Sequence, residues 1–500
     1  MAAVAIAIAF VAFELTLAAF GPYGYFVDEF YYIACSKRLA WGYVDHPPLS
    51  IGILAATRAV IGTSVPAVRV PAALAVGGSI ALTSCVARLL GGGRYAQSLA
   101  ALCAAVSSMA LVMASFYSMN AFELLFWPGL VLALAVAANG SPRAGWLAAG
   151  VLMGLGLENK HTMILPAAAL SLGLVATPLR SAMRTRWPWI GMAIAVLLFL
   201  PNVAWQAAHG FPSLEFYRNA QLSKNVPTPI IAAVLNQVLV AGPGTCVVWI
   251  AGLVWLSRAD AAKNVRFLGI AFVVLFLLQV VSGSSRPDRI GAMYPAMFAA
   301  GAVAIEDFTR QRLPAIRVAV PILTVIGALV VIPISLPLLR PRTAARLAEA
   351  SGLFPRIERG KGTSLPQLLA DRTGWDRFVA EIASVYRSLP SAERDAAVVY
   401  CRTYGCAGAV ELLGGAWGLP RAISAHNSYW TWGPGQQSPP VLIAVGFDGE
   451  ELDALFASHE VAKVYRCDDC MTLGRAIPIQ VARTPRVPLD TAWQALKHFN

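Results

Sequence analysis

Charge is what this sequence lacks most: only 13% of its 500 residues are Asp, Glu, Lys or Arg, where soluble domains carry about 25%. A wholly water-solvated fold is thereby excluded. Histidine is scarce, at six residues, and no compact Lys/Arg run or zinc-finger spacing is present, so no nucleic-acid partner is expected. Internal repeats and low-complexity linkers are absent. No basic residue precedes Lys37, and Phe20-Gly21-Pro22 is a poor small-residue cleavage site. The first 20 residues are therefore expected to be a retained helix, not a removed signal peptide.

What is present is apolar. The chain is 57% hydrophobic with a mean hydropathy of +0.61. Runs near the spanning length of about 20 residues recur as far as Leu339 and then stop. This predicts a polytopic α-helical membrane domain over residues 1–339 and a soluble domain over 340–500. About eleven spans are expected, at 2–20, 67–87, 96–115, 122–139, 144–158, 162–179, 187–207, 230–256, 266–282, 290–306 and 315–338. In the tail, Val398–Tyr400, Val441–Val445 and Val461–Tyr465 read as strands, and 408–417 and 449–458 as helices. That pattern predicts a small three-layer α/β domain.

The loops alternate in kind. One set is short and basic, with Arg88/Arg94, Arg143, Arg180/Arg184/Arg186, Arg258/Lys263/Arg266 and Arg310/Arg312/Arg317. The other holds most of the acids: Asp28, Glu29, Asp45, Glu123, Glu158, Glu215 and Asp288. The positive-inside rule makes the first set cytoplasmic, and an odd number of spans then puts the tail outside. There the close pairs Cys401/Cys406 and Cys467/Cys470 read as disulfides, whereas in the cytosol they would suit a zinc site. The acidic set also carries Lys37, Arg38, Lys160, Arg218, Lys224, Arg286 and Arg289, cations that need a reason to be outside.

The first outer loop holds the densest chemistry. Asp28 and Glu29 stand side by side soon after the first span, followed by Tyr31, Tyr32, Trp41, Tyr43 and the turn Asp45-His46-Pro47-Pro48. The two prolines fix a rigid bend that would hold Asp45 and His46 in place. An adjacent carboxylate pair at a helix end is ordinarily a solvated helix terminus, but a plain linker needs none of this fixed chemistry. His46 and His209 could share a metal. A lone loop histidine is more ordinarily a hydrogen-bonding residue, so no metal and no cofactor are expected.

Asp28-Glu29-x-x-Tyr32, followed by Leu39-Ala40-Trp41-Gly42-Tyr43-x-Asp45-His46-Pro47-Pro48-Leu49, closely resembles the first periplasmic loop of bacterial membrane glycosyltransferases of the protein-mannosyltransferase type. That group includes the lipid A aminoarabinose transferases. The resemblance continues through Ser118–Glu123, Gly156–His161, Trp205–Gly210 and Leu214–Gln221, and more loosely through Gly418–Pro420 and His426–Trp430 in the tail. It implies a C-type glycosyltransferase fold in a bacterial inner membrane, with the tail periplasmic or extracellular. It also implies inverting transfer of a sugar from a polyprenyl-phosphate donor to a lipid, glycan or protein hydroxyl, with a first-loop acid as base.

The chemistry agrees. Such a transfer needs a carboxylate to take the acceptor's proton and cations to stabilise the departing lipid phosphate. Asp28 is the expected base, with Glu29 its partner or a positioning group. Lys160, Arg218, Lys224 and Arg289 are expected on the donor phosphate, and Tyr31, Asp45, His46, Asn120 and Glu123 on the acceptor. Local pairing or contact with lipid headgroups would equally account for any one of the cations. Two departures stand out: Asn120 with Glu123 replaces the second Asp common in that group, and Ser285-Arg286-Pro287-Asp288-Arg289 replaces a Lys-Pro-Tyr-Tyr-like stretch.

Two other functions compete. A flippase of lipid-linked sugars would show repeats and polar, broken helices at mid-membrane. A non-catalytic glycan-binding scaffold would use Tyr429, Trp430 and Trp432, whose flat faces suit sugar rings. Acids at the outer interface and the intact Asp28-Glu29 pair favour catalysis.

Overall fold

Inside hydrocarbon a backbone has no water to bond, so apolar runs must close their hydrogen bonds within themselves. The computed structural model shows this as a bundle of helices at every segment where a span is expected. It describes all residues except 311–312, 353–357, 359–362, 436–438 and 472–475; Arg312 of the last basic loop thus lies outside the described residues. Among those described, six helices are long and apolar enough to cross a membrane singly: Ala2–Phe20, Val65–Leu89, Met119–Ala138, Trp187–Ala208, Asp260–Val281 and Ile316–Pro333. Three bent pairs bring the number to as many as nine, against the eleven expected.

The bends have local causes. The segment 230–256 is not one straight span: Ile230–Ala241 and Pro243–Arg258 meet at 88°. Gly242 turns the chain with φ 92°, and Pro243 has no N–H with which to continue the first helix. At Ser107, Arg94–Val106 and Ser108–Ala114 diverge by 57°, and the Ser107 hydroxyl caps the second helix by accepting from Ala110 N at 3.2 Å. Helices elsewhere approach closely through small residues. A Cβ on Gly301 would lie 1.8 Å from the Val248 carbonyl oxygen, so Cys246–Arg258 and Tyr294–Thr309 can pack at this distance only through glycine.

The first outer loop is largely helical, which the aromatic and proline pattern did not suggest. Val27–Ser36 and Leu49–Ile61 are helices joined by the Asp45-His46-Pro47-Pro48 turn. The first begins at Phe26, whose N–H donates to Glu29 Oε2 at 2.7 Å. A carboxylate at this place closes the helix start and complements its dipole.

The tail carries a five-stranded mixed sheet in the order β2-β1-β3-β5-β4, with β1 Ala397–Cys401, β2 Ala422–Ile423, β3 Val441–Val445, β4 Phe456–Arg466 and β5 Ala476–Pro485. β1 runs parallel to β2 and β3, while β5 is antiparallel to β3 and β4. Alternate residues face opposite cores: Val399, Ile443 and Val481 pack with Phe378, Ile382 and Val410 on one side, and Tyr400, Leu442 and Ala482 with Leu452, Leu489 and Trp493 on the other. The expected helix 449–458 stops at Leu455, where β4 begins. Both close cysteine pairs are bonded, Cys401–Cys406 and Cys467–Cys470.

The tail is docked on the first outer loop. The helix Val27–Ser36 lies along Tyr404–Leu413, and the core runs without a break from Phe30 through Trp375 into the sheet. Phe30 and Trp375 meet edge to face at 5.1 Å. Arg38 clamps Glu411 with two hydrogen bonds, of 2.7 and 3.1 Å. Arg372, buried from the tail side, donates to Ser115 O at 3.1 Å and Ser115 Oγ at 2.8 Å.

Candidate active site

A cavity of about 430 Å³ opens where the first outer loop, the outer ends of the bundle and the tail converge. Its walls hold seven of the eleven residues expected on base, donor phosphate or acceptor: Asp28, Tyr31, Asp45, Asn120, Lys160, Lys224 and Arg289. Asp28 and Tyr31 enter on the helix Val27–Ser36, one turn apart, and Asp45 on the turn that follows it. Ile164, Leu165 and Phe216 give the cavity an apolar side.

Asp28 is half-buried and accepts from Tyr404 Oη at 2.9 Å through Oδ1. Burial raises its carboxyl from the usual range to about 6, while the Lys224 ammonium and the Tyr404 hydrogen bond pull it back down. It is thus ionised at neutral pH and more basic than an ordinary aspartate. Close by, Tyr31 Oη donates to Asp45 Oδ1 at 2.7 Å and accepts from Ser428 N at 3.2 Å.

The cations stand among the remaining cavity residues. Lys160 Nζ donates to Asn120 Oδ1 at 2.7 Å and Glu123 Oε2 at 2.6 Å. An ammonium has three donors, so one remains for a ligand. Lys224 lies 3.4 Å from Glu358. Arg286 also lines the cavity and is paired with Asp288 at 3.1 Å. Although burial opposes it, that guanidinium holds the Asp288 carboxyl well below the usual range. Arg289 makes no ion pair among the described residues, and burial followed by the neighbouring Arg286 lowers its pKa.

Four expected residues are placed elsewhere. Glu29 is fully buried beneath the helix, accepting from Arg69 Nε and Nη2 at 2.9 Å each, from Tyr117 N at 2.8 Å and from Phe26 N. No lone pair remains for a substrate, so the structure gives Glu29 a bracing place and not a reacting one. His46 is buried and stacked on Tyr32, ring centroids 4.9 Å apart. Glu123 faces Lys160 and accepts from Thr162 Oγ1 at 2.6 Å, so it orients a cation. Arg218 is exposed on the helix Pro212–Asn219, whose Phe216 and Tyr217 turn inward instead. Among the described residues no group of three or more His, Cys, Asp or Glu is placed to hold a metal.

Other cavity residues were given no role from sequence. Tyr404, Asn427 and Asn500 come from the tail, more than 370 residues from Asp28 in the chain, and nothing in a local pattern could have joined them to it. The tail aromatics are correspondingly not a free glycan surface. Tyr429 is buried, the indole N–H groups of Trp430 and Trp493 donate to each other's backbone carbonyls at 2.9 Å, and Trp432 packs under Arg38.

Residues 45–205 match the family model described as dolichyl-phosphate-mannose-protein mannosyltransferase. No curated protein matches the chain. Among solved structures, ArnT from Cupriavidus metallidurans bound to undecaprenyl phosphate aligns with a TM-score of 0.61 at 15% identity, over 95% of this chain and 97% of that one. Its apo form aligns at 0.60 and 13%, over 95% and 96%. The oligosaccharyltransferase AglB from Archaeoglobus fulgidus, in complex with an inhibitory peptide and a dolichol-phosphate, aligns at 0.52 and 11%, over 82% and 63%. At these identities the likeness establishes the fold: a C-type membrane glycosyltransferase architecture, with the tail domain included in the match.

Proposed function

We propose that this protein is a membrane glycosyltransferase that moves a sugar from a polyprenyl phosphate to an acceptor hydroxyl, with inversion and with Asp28 as general base. The observation that carries the reading is the cavity itself. It joins a half-buried aspartate of raised basicity to Lys160, Lys224 and Arg289 within one set of walls. The family match over residues 45–205 and the lipid phosphates bound by the two structural relatives support this class of donor.

The step follows from those placements. Asp28 takes the acceptor's hydroxyl proton as the oxygen bonds to the anomeric carbon. On the opposite side the bond from that carbon to the phosphate oxygen breaks, and the lipid phosphate departs with the electron pair. Negative charge grows on the leaving group, where fixed cations stabilise the transition state more than the ground state. Arg289, unpaired among the described residues, and the remaining donor of Lys160 suit that task. Tyr31 and Asp45 border the acceptor side, and Asn120 and Glu123 aim Lys160.

The test is transfer by the purified protein from a synthetic polyprenyl-phosphate sugar, read as release of polyprenyl phosphate. Asp28→Asn keeps the size but cannot accept a proton, and turnover should fall about 10²–10⁴-fold with donor binding retained. A folded Asp28→Asn protein that binds donor and turns over like the wild type would falsify the assignment.

A further inference from the structure

The tail also places a side chain on the proposed base. Tyr404 opens the helix Tyr404–Leu413 just after β1, and its phenol donates to Asp28 Oδ1 at 2.9 Å. Asp28 Oδ2 has no hydrogen-bond partner among the described residues. Three features hold the phenol in place. The Cys401–Cys406 bond ties the end of β1 to the first turn of the helix, with Tyr404 between its ends. Thr403 Oγ1 caps that turn, accepting from Cys406 N at 3.3 Å. The helix then lies against Val27–Ser36 at a separation that requires glycine: a Cβ on Gly405 would sit 2.4 Å from Val27 Cγ2, and one on Gly408 2.8 Å from the Phe30 carbonyl carbon. The rings of Tyr31 and His426 flank Tyr404, each at 4.7 Å.

We propose that Tyr404 is a positioning residue for Asp28, occupying Oδ1 so that Oδ2 is presented to the acceptor hydroxyl, and that the Cys401–Cys406 corner fixes its reach. The inference rests on Asp28 being the base. Packing alone would be served as well by phenylalanine. A phenol differs in donating to the carboxylate, and donation to the charged form favours ionisation. Other groups also act on Asp28. Lys224 and Arg286 face it with opposite charge, Glu358 and Asp371 with like charge, and Tyr32 from its own helix. Among the uncharged ones, Tyr404 is the group that hydrogen-bonds it.

Two substitutions at the same atom separate positioning from packing. Tyr404→Phe removes the donor, so the acid limb of the rate–pH profile, expected near pH 6, should move up by about one unit. Turnover would then be about fivefold lower at pH 6 and within about twofold of wild type at pH 8, with donor KM unchanged. Replacing Tyr404 by 3-fluorotyrosine strengthens the donor without altering packing, and should move the limb to lower pH. Limbs that coincide with the wild type, or a loss equal at every pH, overturn the proposal. If the phenylalanine variant does not fold, the fluorinated protein decides alone. Wild-type turnover in Asp28→Asn would defeat the base reading itself. An inactive Asp28→Asn enzyme with unmoved limbs would remove only the role of Tyr404.

Discussion

Asp28 and Glu29 are adjacent in sequence and opposite in circumstance. Successive helical side chains point about 100° apart, so Asp28 looks into the cavity while Glu29 is driven under the helix onto Arg69. For Asp28 the consequence is a pH dependence. Its carboxyl is raised to about 6, and only the ionised form can take a proton. Turnover should therefore hold above that pH and fall about tenfold per unit below it; a profile flat to pH 4 would contradict the base. The cations divide in the same way. Lys160→Ala and Arg289→Ala should each weaken donor use by about 1.5–3 kcal/mol, the scale of a hydrogen bond to a charged group. Arg218→Ala, on an exposed face, should leave donor KM within about twofold. Titrating the three variants with donor analogue checks both statements.

At the scale of elements, the helix Val27–Ser36 is held from three sides. Glu29 pins its start to Arg69 and Tyr117 N, Tyr31 ties it to Asp45 and Ser428, and its outer face carries the tail helix Tyr404–Leu413. Glu29→Gln removes a charge and leaves the Arg69 guanidinium buried without its partner. Breaking one side of a buried pair costs about 3–5 kcal/mol, so the variant should melt well below the wild type. Any loss of activity should follow from displacement of Asp28. Equal melting temperatures for the two proteins would show that this brace is dispensable. The bent pair at Gly242-Pro243 shows why element boundaries were harder to read. Hydropathy reports that 230–256 is apolar, and it is blind to a turn that the same composition permits.

At the scale of the molecule, the tail and membrane domain form one body with the cavity at their junction. Loop charge alternation and the bonded cysteine pairs lead us to propose that the tail lies outside the membrane, on the oxidising side. Ser458→Cys on the exposed β4 should then react with a membrane-impermeant maleimide in intact cells, while Arg184→Cys, in a basic loop, should react only after lysis. The reverse pattern would invert the topology and move the cavity to the cytoplasm. Of the tail's aromatic residues, Tyr429 and Trp432 pack at this junction, against Tyr31 and Arg38, and Trp430 packs within the tail. Trp430→Ala should lower the melting temperature and expression together, without a selective change in acceptor KM, because its indole is bonded within the tail.

Apolar run length, loop charge and the Asp28–Pro48 motif were enough to expect a helical membrane region, an α/β tail and, with the resemblance, seven of the residues that line the cavity. Each of those signals is local: hydropathy is a property of about 20 consecutive residues, and a motif of its own stretch. Which of two neighbouring carboxylates faces the cavity depended on helical phase against a partner 40 residues away, Arg69. That Lys160 is aimed by Asn120 and Glu123, that Arg218 points outward, and that Tyr404 reaches Asp28 across 376 positions depended on how helices and tail pack. Packing is a sum of many non-local contacts that no single stretch encodes, and only the folded chain brings those side chains within hydrogen-bonding distance.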